Sequence, residues 1–237
     1  AGFVVLALAA VAMMRREWSG AGLPASTGLR AVLRDGLARR LLLIALLNAA
    51  PVAVTTTLFL FFVDARLEAG GKEGPLLLAF FLAAACAAPV WGVLAERHGP
   101  KRVLLAAMAL SILSLGGAVF LGAGDWAWFA VICLVSGAAL GADLTLLPAL
   151  FASRMAQIAP SAAEGFGLWS FVSKFTLALS AAVLLPALEG AGYVSGAQAP
   201  QPEIAVDLLR LLYAGAPCVL KLAAIFLLWR TKLDRLS

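Results

Sequence analysis

Charge is what this sequence has least of. Only 13% of its 237 residues are Asp, Glu, Lys or Arg, against about a quarter in a soluble domain. Histidine and cysteine are scarce as well, with one and three copies. His98 lies in a loop, no H-E-x-x-H or G-x-S-x-G occurs, and the cysteines do not cluster. Hydrolytic chemistry of the common kinds therefore has no motif here to carry it, and the chain is read as not an enzyme. Cys86, Cys133 and Cys218 are far apart, each inside an apolar run. That spacing gives neither a disulfide framework nor a metal site, so no metal or cofactor is assigned.

Apolar residues fill the space that charge leaves. They make up 63% of the chain, and mean hydropathy is +0.98. A water-soluble fold of this size cannot hide so much apolar surface, so the solvent is lipid. The net charge of +5 does not point to nucleic acid, which needs a basic face or stripe. Here the cations sit in short loops between apolar segments, a membrane pattern.

Six runs are long enough to cross the roughly 30 Å hydrocarbon core, which takes about 20 residues of helix. Leu41 to Val63, Gly74 to Ala95 and Val103 to Gly124 carry no charge. Trp126 to Ser153 carries only Asp143, Gly165 to Leu188 only Lys174, and Leu211 to Trp229 only Lys221. A barrel would need short alternating segments instead. The fold class is all-α, a six-helix membrane protein. The opening AGFVVLALAAVAMM is too short to span and lacks a signal peptide's basic start; it is read as the end of a truncated helix. The expected organisation is that helix end at 1–14, a cytoplasmic connector at 15–40, a six-helix bundle at 41–229 and a cytoplasmic tail at 230–237.

Loop cations set the expected orientation. Arg15, Arg16, Arg30, Arg34, Arg39, Arg40, Arg97, Lys101, Arg102, Arg154, Arg230, Lys232 and Arg235 fall on one side, and Arg66, Lys72 and Arg210 on the other. The basic side is read as cytoplasmic, in a plasma (inner) membrane.

The most polar turn, Trp91 to Arg102 (WGVLAERHGPKR), joins the second and third spans. Gly92, Glu96, Arg97, Gly99, Lys101 and Arg102 together resemble the G-x-L-a-D-R-x-G-R/K-R/K signature of the major facilitator superfamily. The resemblance implies that Glu96 helps latch the cytoplasmic helix ends. Glu replaces the usual Asp, and Pro100 stands where a cation is common. Gly165 to Tyr193, with Trp169, Phe171, Lys174, Ala178, Gly192 and Tyr193, resembles the penultimate helix of melibiose-permease-like cation symporters. Gly141 to Gln157 resembles the preceding helix, but Ser153 and Arg154 stand where many members carry an acidic cluster. The resemblance implies the C-terminal half of a transporter whose N-terminal half is missing from this chain. It implies alternating access, a small polar solute such as a sugar or glycoside, and a coupling cation, Na+ or H+, whose site lies mainly in the missing half. Lysolipid or drug movement, or a non-transporting membrane scaffold, stand as alternatives.

The three intramembrane charges are candidate solute or coupling residues, since each costs about 2.5–3.5 kcal/mol at a helix centre. Counted from the basic ends at 1.5 Å per residue, Asp143, Lys174 and Lys221 all lie roughly 14–15 Å deep, near the midplane. One arrangement pairs Asp143 with Lys174 on the next helix, while Lys221 could snorkel on its long stem. Asn48 and Trp169 complete the candidates. Thr55, Thr56 and Thr57 have a competing use, satisfying backbone carbonyls beside Pro51.

Overall fold

The computed structural model describes residues 32–158, 164–194 and 201–231. The expected helix end at 1–14, residues 15–31 of the connector and most of the tail lie outside the described residues. Among those described, six helices are long and apolar enough to cross a membrane, and no strand occurs.

Helix α1 spans Gly36–Phe61 and runs through a π-helical turn at Phe62–Arg66. It starts before the expected Leu41 because Asp35 caps it, its carboxylate accepting the Ala38 N–H at 2.7 Å. That bond satisfies one of the four amides a helix start leaves open. Helix α2 spans Glu73–His98 and α3 spans Pro100–Gly117, ending in a 3-10 turn at Ala118–Phe120. Only Gly99 separates α2 from α3, at φ +85°. A side chain is strained at that angle, which explains the glycine. Pro100 then opens α3 where its missing N–H costs nothing.

Helix α4 is the longest, Trp126–Ile158, and α5 spans Glu164–Gly190. The last span is interrupted: α6 at Glu203–Arg210, a π-helical turn at Leu211–Gly215, and α7 at Ala216–Arg230. Helix α2 packs most extensively against α4. The reason is Gly137 and Gly141, where an added Cβ would lie 2.2 Å from Phe80 O and 2.6 Å from Ala84 O. Small residues one turn apart let two backbones meet, and Trp91 Nε1 pins the same pair by donating to Ala138 O at 2.7 Å.

The interior is built in three layers. Near the end holding Arg66 and Lys72, Leu58, Phe62, Phe129, Leu188, Leu209 and Tyr213 share one apolar cluster, with Phe62 stacked on Tyr213 at 4.2 Å. Near the basic end, Leu41, Ile44, Leu104, Met108, Leu147, Phe151 and Leu228 share another. All six spans pass from one cluster to the other, and all but α2 place a buried polar residue near the crossing. These are Asn48 on α1, Ser111 on α3, Ser136 and Asp143 on α4, Thr176 on α5 and Lys221 on α7. With apolar clusters above and below, this middle layer is where a polar guest would find partners.

Candidate functional site

Mid-helix hydroxyls in an apolar medium must find acceptors, and most find them locally. Thr55 donates to Pro51 O at 3.0 Å, Ser136 to Ile132 O at 2.6 Å and Thr176 to Val172 O at 2.7 Å. These i−4 bonds remove the hydroxyls from the list of free donors. The Thr55 bond realises the use expected beside Pro51.

Asp143 and Lys221 cannot be satisfied that way. Lys221 Nζ donates to Asp143 Oδ2 in a buried ion pair between α4 and α7, with Lys221 2% and Asp143 7% exposed. This corrects two expectations. Lys221 does not snorkel, and Asp143 does not pair with Lys174. The reason is helical phase: Thr176 is buried toward the bundle, and Lys174, two positions back, is turned about 200° from it. Lys174 is exposed and makes no ion pair among the described residues.

The pair lies between two cavities. One, of about 250 Å³, is walled by Leu60, Phe80, Phe81 and Leu115, with Thr56, Ser111, Asp143, Tyr213 and Lys221 also lining it. The other, of about 280 Å³, lies among α1, α4 and α5 and is lined by Asn48, Thr56, Asp143, Trp169 and Ser173. Asp143 therefore borders both. Its Oδ1 and the Asn48 Oδ1 are buried without a hydrogen-bond partner. Asn48 and Trp169, singled out from sequence, share a cavity with Asp143; Lys174 does not line it.

The charged turn sits at the basic end. Lys101 Nζ donates to Trp229 O at 3.0 Å and to Thr231 O, so a cation closes the carbonyl end of α7. That is where the helix dipole favours positive charge. Glu96, Arg97 and Arg102 are exposed, and Glu96 makes no ion pair among the described residues.

A second linkage at that end was not foreseen. Arg154 clasps Asp35 with two nitrogens, Nε to Oδ1 at 3.0 Å and the second to Oδ2, and donates to Gln157 at 2.9 Å. The Arg154 guanidinium holds the Asp35 carboxyl below its usual range. The departure at Arg154 thus has a partner within the chain. Asp35 ahead of an apolar helix was the available signal, as an N-cap; which arginine would reach it was not legible.

The chain matches the family described as MFS/sugar transport protein over residues 2–235. No curated protein matches it.

Proposed function

The chain belongs to the MFS/sugar transport family of the major facilitator superfamily, and on that premise we propose that it is the C-terminal half of a melibiose-permease-like symporter. It is an integral membrane protein of a transporter family; the proposal adds the solute, the coupling and the orientation. A small polar solute, a sugar or glycoside, crosses by alternating access, with Na+ or H+ as coupling ion bound mainly by the N-terminal half. The basic loops face the cytoplasm of a plasma (inner) membrane.

The observation that carries this reading is the buried Asp143–Lys221 pair between two cavities in the middle layer. Ionisable groups are costly at membrane depth, and in transporters they mark solute and ion pathways. Sites at the bilayer midplane, between halves that rock about them, are the general transporter arrangement. A buried ion pair that only fixes packing between α4 and α7 is the competing use.

Uptake of radiolabelled sugars by cells making the complete protein tests the reading. Lys221→Met should lower uptake more than Lys174→Ala at equal surface amounts. Sugar uptake unaffected by Lys221→Met would remove the pair from the pathway. One feature favours a second reading. The aliphatic and aromatic walls of the cavity beside Phe80 and Phe81 suit an acyl chain, so a lysolipid belongs in the same uptake screen.

A further inference from the structure

Two oxygens in the middle layer have no donor. Asn48 is 4% exposed and Asp143 7%, and the Oδ1 atom of each is buried without a hydrogen-bond partner. A buried acceptor left unpaired is destabilising, so each calls for a donor. Neither oxygen has surface that a water could touch, and a bridging water needs room as well as partners. The donor therefore belongs to the protein.

Few of its groups remain to supply one. Ser136, Thr145 and Thr176 give their hydroxyls to carbonyls of their own helices. Ser111 lines the other cavity, and Thr56 stands about two turns beyond Asn48 along α1. The Trp169 ring packs on Phe151, centroids 5.1 Å apart, about two turns of α4 from Asp143. What is left is the Asn48 amide itself. Its two ends are nearly equal in size, so half a turn about χ2 puts Nδ2 where Oδ1 stands and displaces nothing. Oδ1 moves to the place of Nδ2, which is not one of the sealed positions. One rotation resolves both oxygens.

Helix register brings this amide to Asp143. The Asp35–Arg154 clasp, with Nε 3.0 Å from Oδ1, pins the start of α1 to the end of α4, which runs the other way. Asn48 lies thirteen residues along α1 from the clasp and Asp143 eleven back along α4. At 1.5 Å per residue those are about 20 and 16 Å, nearly one height. Both side chains also line the same cavity.

We propose that Asn48 is a positioning residue for Asp143: its Nδ2 donates to Asp143 Oδ1 while Lys221 holds Oδ2, joining α1, α4 and α7 at one polar node. The amide adds a charge-assisted hydrogen bond to the carboxylate and fixes its direction between the two cavities. Asn48 acts through Asp143 rather than on a solute. The proposal rests on the transport reading for its purpose but not for its test.

Asn48 is the chain's only asparagine, so asparagine carrying nitrogen-15 in its side chain gives one amide signal. In a proton–nitrogen correlation spectrum of the purified chain in detergent, one of its protons should lie downfield of the usual amide position. In Asp143→Leu combined with Lys221→Met that shift should be lost. A signal that does not differ between the two proteins overturns the proposal. So does an ordinary amide position in the unaltered chain, with or without a cross-peak to a trapped water. Stability supplies a second measurement. Asn48→Leu should move the unfolding equilibrium roughly tenfold or more towards the unfolded state, the worth of one hydrogen bond to a charged group. It should have almost no effect once Asp143→Leu and Lys221→Met are present, and equal losses in the two backgrounds overturn the proposal. The spectrum needs no change at Asn48, so it decides the matter if Asn48→Leu fails to fold. Sugar uptake by the complete protein with an ordinary amide signal would leave the transport reading standing and the node refuted; a downfield signal without uptake would do the reverse.

Discussion

Replacing Lys221 by methionine keeps most of the side chain's length and removes only its charge, leaving Asp143 as an uncompensated carboxylate between α4 and α7. Both groups are almost wholly buried, and no other ion pair reaches either of them among the described residues. Breaking one partner of such a pair costs about 3–5 kcal/mol, roughly 150- to 4,000-fold in the unfolding equilibrium at 1.4 kcal/mol per decade. Any water in the cavities on either side would pull the expectation toward the lower figure. Asp143→Leu should cost a similar amount by stranding the ammonium. The double variant should return to within about 1 kcal/mol of the unaltered protein, or exceed it, because an apolar pair removes the desolvation penalty on both charges. The assay is reversible unfolding in mixed micelles by SDS titration, followed by tryptophan fluorescence. The decisive quantity is the coupling energy of the double-mutant cycle. Additive single effects, with coupling below about 0.5 kcal/mol, would refute the idea that the two charges depend on each other.

Four further outcomes follow from separate parts of the molecule. Gly137→Ala should push α2 from α4, since its Cβ would lie 2.2 Å from Phe80 O. Overpacking of this kind costs about 1–3 kcal/mol, and the same unfolding titration should show the loss. Arg154→Gln should cost about 1 kcal/mol at neutral pH, an allowance for a pair still partly exposed. Asp35 has a depressed pKa in the folded protein, so its contribution is present above the unfolded value of about 3.9 and lost as pH falls through the lower folded value. The gap between Arg154→Gln and the unaltered protein should therefore close in acid, and a gap that widens would contradict the pairing. Lys101→Met should speed hydrogen exchange in the last turn of α7 while leaving α2 unchanged, because Lys101 serves the carbonyls of Trp229 and Thr231. Single cysteines at Ala69–Gly71 should react with an impermeant reagent outside intact cells, and one beside His98 only after the membrane is opened; the opposite pattern would invert the orientation.

Six spans, their order and their all-helical character were legible in the sequence, because an unbroken apolar run has one way to satisfy its backbone in lipid. A shared height along the bundle for Asp143 and Lys221 was legible too, since rise per residue turns sequence distance into height. Asp143 and Lys221 do meet in one layer. The turn at Gly99 and the close approach at Gly137 and Gly141 could be read from glycine spacing, as those positions depend on local backbone or on a missing side chain. What one-dimensional reading could not supply was rotation. Nearly uniform apolar helices have no strong polar face to fix which side turns inward, so Lys174 was placed against Asp143 although it points outward on α5. Lys221, from the last span, takes that place instead. The clasp of Asp35 by Arg154, residues 119 apart, and the division of the interior into two cavities at Asp143 likewise depend on how α1, α4, α5 and α7 pack. Hydropathy fixes how deep a residue lies, whereas its partner is set by helix phase and neighbour identity, and those exist only once the bundle has formed.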